Sequence, residues 1–152
     1  MRSRRGADAR IRLVAAAAKR MQGCSVLQVN IGRASSAALL LSGVAGLVMP
    51  ERVGAALELI PSSARGVTET RAGLGGTYAA LGAWALVSQE PAADVAVGVT
   101  WLGAGGARLA SLLADRPRTN AAFWTYLALE MGLGTTSLVS ASLRRHGKQV
   151  QA

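Results

Sequence analysis

Long apolar segments with one formal charge or none are the main pattern along this chain. They cover residues 34–50, 72–89, 95–114 and 121–143, and the last two contain Arg108 and Glu130 as their only charged residues. Because an α-helix rises about 1.5 Å per residue, about 20 apolar residues cross the hydrocarbon core of a membrane. The pattern therefore predicts an all-α fold, an integral membrane four-helix bundle with four spans.

A soluble four-helix bundle is the competing interpretation of the same segments. Each of its helices would need a polar face with a period near 3.6 residues. The polar groups of segment 34–50 are three serines, and those of segment 72–89 are Thr77, Tyr78, Ser88 and Gln89. Neither set forms a face suited to water, so the membrane interpretation is favoured.

The connection between the first two spans predicts a short helix of its own. Pro50 is expected to end the first span, and in segment 51–60 Val53, Leu57 and Ile60 follow at helical spacing. Such a short amphipathic helix suits the membrane interface. Thr68 is the predicted N-cap of the second span.

Glycine and alanine recur every four residues in the spans. In lipid, helices associate through close backbone approach, for which small residues are suited. These rows predict tight helix packing, either within the chain or between copies, and the glycines concerned are Gly75, Gly76, Gly106 and Gly132.

Charge is concentrated at the two ends of the chain. Of a net charge of +9 over 152 residues, residues 1–33 carry +7 and residues 144–152 carry +3, which leaves the remainder at −1. The predicted organisation is a basic tail (1–33), a four-span domain (34–143) and a second basic tail (144–152). Because basic residues stay on the cytoplasmic side, both tails are expected on that side of the membrane. Nucleic-acid binding is disfavoured, since neither tail has an aromatic residue for base stacking.

The N-terminal region allows two interpretations. Residues 11–31 could form a basic amphipathic helix on the inner membrane surface, or a tail without a specific role, which we favour. Only six residues separate Arg12 from Lys19, too few for the core of a secretion signal. Whether the first twenty residues are translated is open, because Met21 is an alternative start. Cys24 is the only cysteine, which excludes a disulfide framework, and no metal site is predicted.

Four charged residues do not fit a purely apolar bundle: Glu69, Arg71, Arg108 and Glu130. Helical rise places all four in the outer half of the predicted spans. Ionisable groups at such depth normally pair with opposite charges, and Glu130 with Arg108 or Arg71 is the first expected pair. Tyr78 and Tyr126 share helix faces with these charges and are expected to add hydroxyl groups, whereas Trp84 and Trp101 are expected to face lipid or its interface.

This polar set has two interpretations. The favoured one is an ion network that fixes the register of the helices. The alternative is a polar pocket that binds an anionic or quinone-like ligand, or that passes a proton through Glu130.

Several of these residues occur in a recognisable order. They are the Gly43 to Pro50 segment, Thr68-Glu69-Thr70-Arg71 leading into Leu74-Gly75-Gly76, Gly106-Ala107-Arg108, and Leu129-Glu130. The order resembles an uncharacterised bacterial family of small four-helix membrane proteins, a domain of unknown function distantly akin to the DoxX and DoxD group. The resemblance covers about residues 34–143 and implies that Glu69, Arg71, Gly75, Gly76, Arg108 and Glu130 are signature positions. Leu74 departs from it, because the family often has Tyr there.

The resulting functional hypothesis is a non-enzymatic accessory or interaction subunit without a cofactor, in contact with membrane lipid and with a second copy or another membrane protein. The alternative is a small-molecule or quinone-binding component of a membrane redox system, the kind of complex with which DoxX-like proteins are associated.

Overall fold

Helices account for the secondary structure of the part of the chain that the computed structural model describes, residues 32–88 and 90–150. In chain order they are α1 (Gly32–Val48), α2 (Pro50–Ala56), α3 (Ala64–Thr70), a π-helical segment (Arg71–Gly76), α4 (Thr77–Ser88), α5 (Pro91–Ala114) and α6 (Ala121–Val150). The predicted all-α class is confirmed for these residues. The predictions for residues 1–31, including Met21 and Cys24, lie outside them.

A sharp turn separates α1 from α2, whose axes differ by 114°. The first helix ends at Val48, just before Pro50, as predicted, and Pro50 opens the second helix, where its missing N–H costs no hydrogen bond. At the other end of α2, the N–H of Leu59 donates to the carbonyl of Gly54 at 2.7 Å, and Glu58 adopts a left-handed φ of 56°. A short helix is thus present where one was predicted, although residues 57–60 lie beyond its end.

The helical segment that runs from α3 to α4 begins earlier than predicted. Ser63 is its N-cap, because its Oγ accepts from the N–H of Gly66 at 3.2 Å. Thr68 lies inside α3, where its hydroxyl donates to the carbonyl of Ala64. The π-helical segment follows where Gly75 approaches α1, and a Cβ on Gly75 would lie 2.7 Å from the N atom of Leu47.

Two antiparallel helix pairs form the body of this part of the chain. In the first, α1 packs on the π-helical segment and α4 through glycines: Gly43 against Ala79, Gly46 against Gly75, and Gly82 against Leu40. In the second, α5 and α6 approach at Gly98 and Gly134. A small apolar core joins the two pairs and is built on Leu39, Ala85, Ala93, Val97 and Trp101.

Among residues 32–88 and 90–150, length and composition identify one helix, α5, that can cross a membrane, and a second span only if the bent α1 and α2 are counted as one. This is fewer than the four spans predicted. The π-helical segment leaves α4 with 12 residues, which is too short alone. Helix α6 has 30 residues, but its glycine, serine and threonine residues, Glu130 and the basic residues near its end lower its hydropathy. A membrane four-helix bundle is therefore not established by these criteria.

Candidate functional site

A cavity of about 500 Å³ lies between α2 and the helices beneath it. Helices α1, α2, α4, α5 and α6 and the π-helical segment all contribute to its wall. Most of the wall is apolar. The volume of the cavity falls within the range of roughly 300 to 1,000 Å³ typical of small-molecule sites. The polar side chains at the cavity are Arg52, Arg108, Glu130, Tyr78, Tyr126 and Ser42.

An ion pair between Arg108 and Glu130 forms the polar end of this cavity. The Nε of Arg108 donates to both carboxylate oxygens of Glu130, at 3.0 Å to Oε1 and 2.9 Å to Oε2. The structure thus joins the two residues that were expected to pair first. The glutamate is buried, whereas the arginine side chain is 27% exposed and reaches the cavity surface.

Aromatic rings surround the guanidinium of Arg108. Its Cζ lies 5.6 Å from the ring centre of Tyr126 and 5.9 Å from that of Phe123. At these distances the ring faces attract a cation. The rings of α6 therefore hold the arginine beside Glu130 and limit the directions in which it can turn.

Tyr78 and Trp101 also line the cavity, with ring centres 6.3 Å apart. The prediction that Trp101 faces lipid or the interface is wrong. Its side chain is buried, and its indole N–H donates to the carbonyl of Ser35 at 3.4 Å. The burial of an indole is favourable when its N–H finds such a partner. Trp84, by contrast, is exposed.

Glu69 and Arg71 are not brought to this cavity. Glu69 pairs with Arg65 one turn earlier in α3, at 3.7 Å and with both side chains exposed. Arg71 is also exposed, and its Nε donates to the carbonyl of Leu47 at 3.2 Å. The expected meeting of four charges is thus reduced to one pair, because the helical segment bearing Glu69 and Arg71 presents them to the surface.

The four glycines predicted to pack helices differ in their surroundings. Gly75 is buried against α1, and a Cβ there would collide with Leu47 and Gly46. A Cβ on Gly76 would have only the carbonyl of Arg71 nearby, at 3.7 Å, and Gly106 and Gly132 have open space. Within the described part of the chain, only the first of them mediates close packing between helices.

Two features of the site were missed by sequence reasoning. Arg52 reaches the cavity from α2, in a segment for which the sequence predicted only a short interfacial helix. The second is a buried ion pair at the other end of α5 and α6, where the Nε of Arg144 lies 3.2 Å from Oδ2 of Asp94. The same oxygen accepts from the hydroxyl of Ser140 at 3.1 Å.

The location of this second pair corrects two predictions. Asp94 lies just outside the predicted span 95–114, yet it is in the first turn of α5 and is buried. Arg144 was expected in a basic tail, yet α6 continues past it to Val150. A signal for the pair was present, because 14 residues separate acid and base on each helix, Asp94 to Arg108 and Glu130 to Arg144.

The described residues hold no group of three or more His, Cys, Asp or Glu side chains that could bind a metal ion. No family model matches this chain, and no curated protein and no solved structure matches it at a significant level. The resemblance to the DoxX-like family stays a prediction.

Proposed function

We propose that this chain is a small, non-enzymatic membrane protein that binds a lipophilic small molecule in the cavity beneath α2. The observation that carries the proposal is the cavity itself, with an apolar wall and a few convergent polar groups at the Arg108–Glu130 pair. Such a combination is typical of ligand sites, in which apolar surface supplies affinity and a few polar groups fix orientation.

The distribution of polar and apolar side chains supports a membrane location. In the described ranges, large apolar residues such as Leu41, Val87 and Leu113 are exposed, whereas Asp94, Glu130 and four serines are buried. Only 22% of the most apolar window of α5 is buried. Water disfavours so much outward apolar surface, whereas lipid favours it and drives charges inward.

Four crossings are part of this proposal. Helices α1, α5 and α6 each provide one, and the continuous helical run from α3 to α4 provides the other. The two ion pairs would then lie about 21 Å apart along the helix axes, inside a hydrocarbon core of about 30 Å. Both termini would be cytoplasmic, in a bacterial cytoplasmic membrane.

An accessibility experiment tests this orientation. A Ser62→Cys substitution in a Cys24→Ser background places the only thiol in the exposed connection between α2 and α3. We expect an impermeant thiol reagent to label it from outside intact cells. Labelling from the cytoplasmic side alone would overturn the orientation.

Filling the cavity tests the binding function. Ala104 lines the cavity on α5, whereas Ala110 is exposed on the same helix. After purification in mild detergent, mass spectrometry of the extracted protein should find a stoichiometric lipophilic molecule in the wild type and in Ala110→Phe. The molecule should be lost from Ala104→Phe. Equal retention by both variants would contradict a ligand in this cavity.

An interaction subunit is the second candidate function. Gly106 and Gly132 lie on exposed helix surface with open space beside them, which favours close approach by a helix of another copy or of a membrane-protein partner. Native mass spectrometry of the wild type and of Gly106→Leu compares their assemblies. A complex that dissociates in the variant supports this role, and identical assemblies oppose it.

A further inference from the structure

The charges that line the cavity do not cancel. In the described part of the chain they are Arg52, Arg108 and Glu130. Arg108 and Glu130 neutralise each other through their ion pair. Arg52, on α2, makes a weak contact to the sulfur of Met49, with 3.7 Å between Nη1 and Sδ. The cavity therefore carries one net positive charge.

Two acidic residues lie close to Arg52 in the sequence, one in α2 and one in the connection after it. Both lie outside the cavity. Glu51 lines a separate pocket outside the cavity, together with Arg52 and Arg71. Glu58 accepts a hydrogen bond from the side-chain amide of Asn120 at 3.0 Å. Within the described residues neither carboxylate lines the cavity or forms an ion pair with Arg52, so Arg52 can pair with a ligand.

Two phenol groups add hydrogen-bonding capacity at the same place. Tyr78 and Tyr126 line the cavity, and neither hydroxyl bonds to any other group within residues 32–88 and 90–150. Both hydroxyls can donate to a ligand oxygen. The guanidinium of Arg52 has the planar fork that matches a carboxylate or phosphate group.

The rest of the wall suits a hydrocarbon chain. Val53 and Leu57 from α2, Leu74 from the π-helical segment, and Ala104 and Trp101 from α5 all line it. A ligand with a charged end and an apolar body would place its charged end near Arg52 and its apolar body among these side chains.

We infer that the ligand is an amphiphile with one anionic head group, a carboxylate or a phosphate monoester, on an apolar body. This inference rests on the proposed function, because it concerns the same cavity. It also favours an anion over a neutral quinone. A quinone would leave Arg52, an exposed residue at the rim of the cavity, without an ionic partner, whereas an anionic head group supplies a charge-assisted hydrogen bond.

Bromine quenching of tryptophan fluorescence can test the head group. Trp84→Phe and Trp124→Phe together leave Trp101 as the only tryptophan in the full chain, because the sequence contains three. The probes are dibromostearic acid and its methyl ester, which share one brominated chain and differ only in charge. Protein in nanodiscs of neutral lipid is titrated with each probe.

We expect the acid to quench Trp101 saturably, with an affinity roughly tenfold to a hundredfold above that of the ester. Arg52→Gln should abolish this preference by lowering the affinity for the acid to about that for the ester, whereas Arg52→Lys should retain part of the preference. Arg65→Gln removes an exposed arginine outside the cavity and serves as the control. It should bind both probes as the background does.

A brominated lysophosphatidic acid distinguishes the two sources of the anion. Tighter binding of this probe identifies a lipid phosphate, and tighter binding of the fatty acid identifies a free carboxylate. Equal quenching by acid and ester would overturn the anionic head group while leaving the proposed cavity function intact. Absence of saturable quenching by all three probes overturns the inference. If Ala104→Phe also changes nothing in co-purified molecules, the proposed function fails with it.

Discussion

Asp94–Arg144 and Arg108–Glu130 join the same two antiparallel helices, with 14 residues between them on each helix. Their surroundings differ. The Asp94 and Arg144 side chains are 3% and 14% exposed, and Ser140 and the backbone of Gly32 cover them. Arg108 is 27% exposed and opens onto the cavity.

The same ion-pair chemistry can serve two purposes within one helix pair. A largely covered pair such as Asp94–Arg144 acts mainly on stability, because most of its surface is in contact with protein. An open pair can also act on a ligand, since a carboxylate or guanidinium at a cavity wall exchanges partners without unfolding the helices. We therefore expect variants at the two ends to separate stability from binding.

Asp94→Asn should have the largest effect on stability. It removes the negative charge beside Arg144 but keeps an oxygen that can accept a hydrogen bond, so the loss is that of a charge-assisted interaction, about 1.5 to 3 kcal/mol. We expect the upper end of this range, because these side chains, 14% and 3% exposed, are less screened by solvent than Arg108 at 27%. Unfolding by SDS in mixed micelles measures the loss. Affinity for the brominated acid should be unchanged in the folded fraction. A loss below about 1 kcal/mol would show that the lower exposure of the Asp94–Arg144 pair does not increase its contribution to stability.

Glu130→Gln should have a smaller effect on stability and a clear effect on binding. The glutamine can still accept from Arg108, so only the charge-assisted part of the bond is lost, about 1.5 to 3 kcal/mol at most. The cavity then gains a second net positive charge, which should tighten binding of the anionic probe. Weaker binding of the acid in this variant would contradict the assigned role of the open pair.

Part of this arrangement could be predicted from sequence. The apolar segments 95–114 and 121–143 correspond to the centres of α5 and α6, and helical rise placed Arg108 and Glu130 at matching depth. The Asp94–Arg144 pair could not be predicted in the same way. Arg144 was assigned to a basic tail because of its charge, and Asp94 was left outside the predicted span. The two residues are fifty positions apart, so their pairing follows only from the register of α5 against α6.

The cavity depends on a feature that hydrophobic periodicity does not encode. A proline after an apolar run predicts that a helix ends, but it does not predict the direction of the next helix. Here α2 turns back by 114° and brings Arg52 over the bundle. The sequence does not predict the π-helical segment either, because the glycines that permit it also predict ordinary close packing of α-helices.

Gly134→Ala should disturb the packing that keeps the two pairs in register. A Cβ there would lie 2.6 Å from Cγ of Leu102, and such overpacking typically costs about 1 to 3 kcal/mol. Gly132→Ala is the matched control, since nothing lies within 4 Å of its Cβ position.

Double variants show which of the two ion pairs the Gly134→Ala substitution disturbs. Gly134 lies one turn from Glu130, so Gly134→Ala and Glu130→Gln should be non-additive. It lies ten residues, about 15 Å, from Arg144, so its effect should add to that of Asp94→Asn. Additivity with both would mean that the shift in packing reaches neither pair.

Asn120→Asp should have the smallest effect on stability, and its main effect should be kinetic. The side-chain oxygen of Asn120 accepts from the N–H of Phe123 at 2.9 Å and starts α6, while its amide nitrogen donates to Glu58 just beyond α2. Aspartate is an equally good cap, so stability should change by less than about 1 kcal/mol. The bond to Glu58 is lost, however, and two carboxylates then face each other at the edge of the cavity. We expect faster release of the brominated acid, measured as the recovery of Trp101 fluorescence after dilution.

Glu58→Gln combined with Asn120→Asp reverses donor and acceptor and should restore slow release. If release is equally slow in all three proteins, α2 does not open for the ligand, and the Arg108–Glu130 end of the helix pair is as closed as the Asp94–Arg144 end.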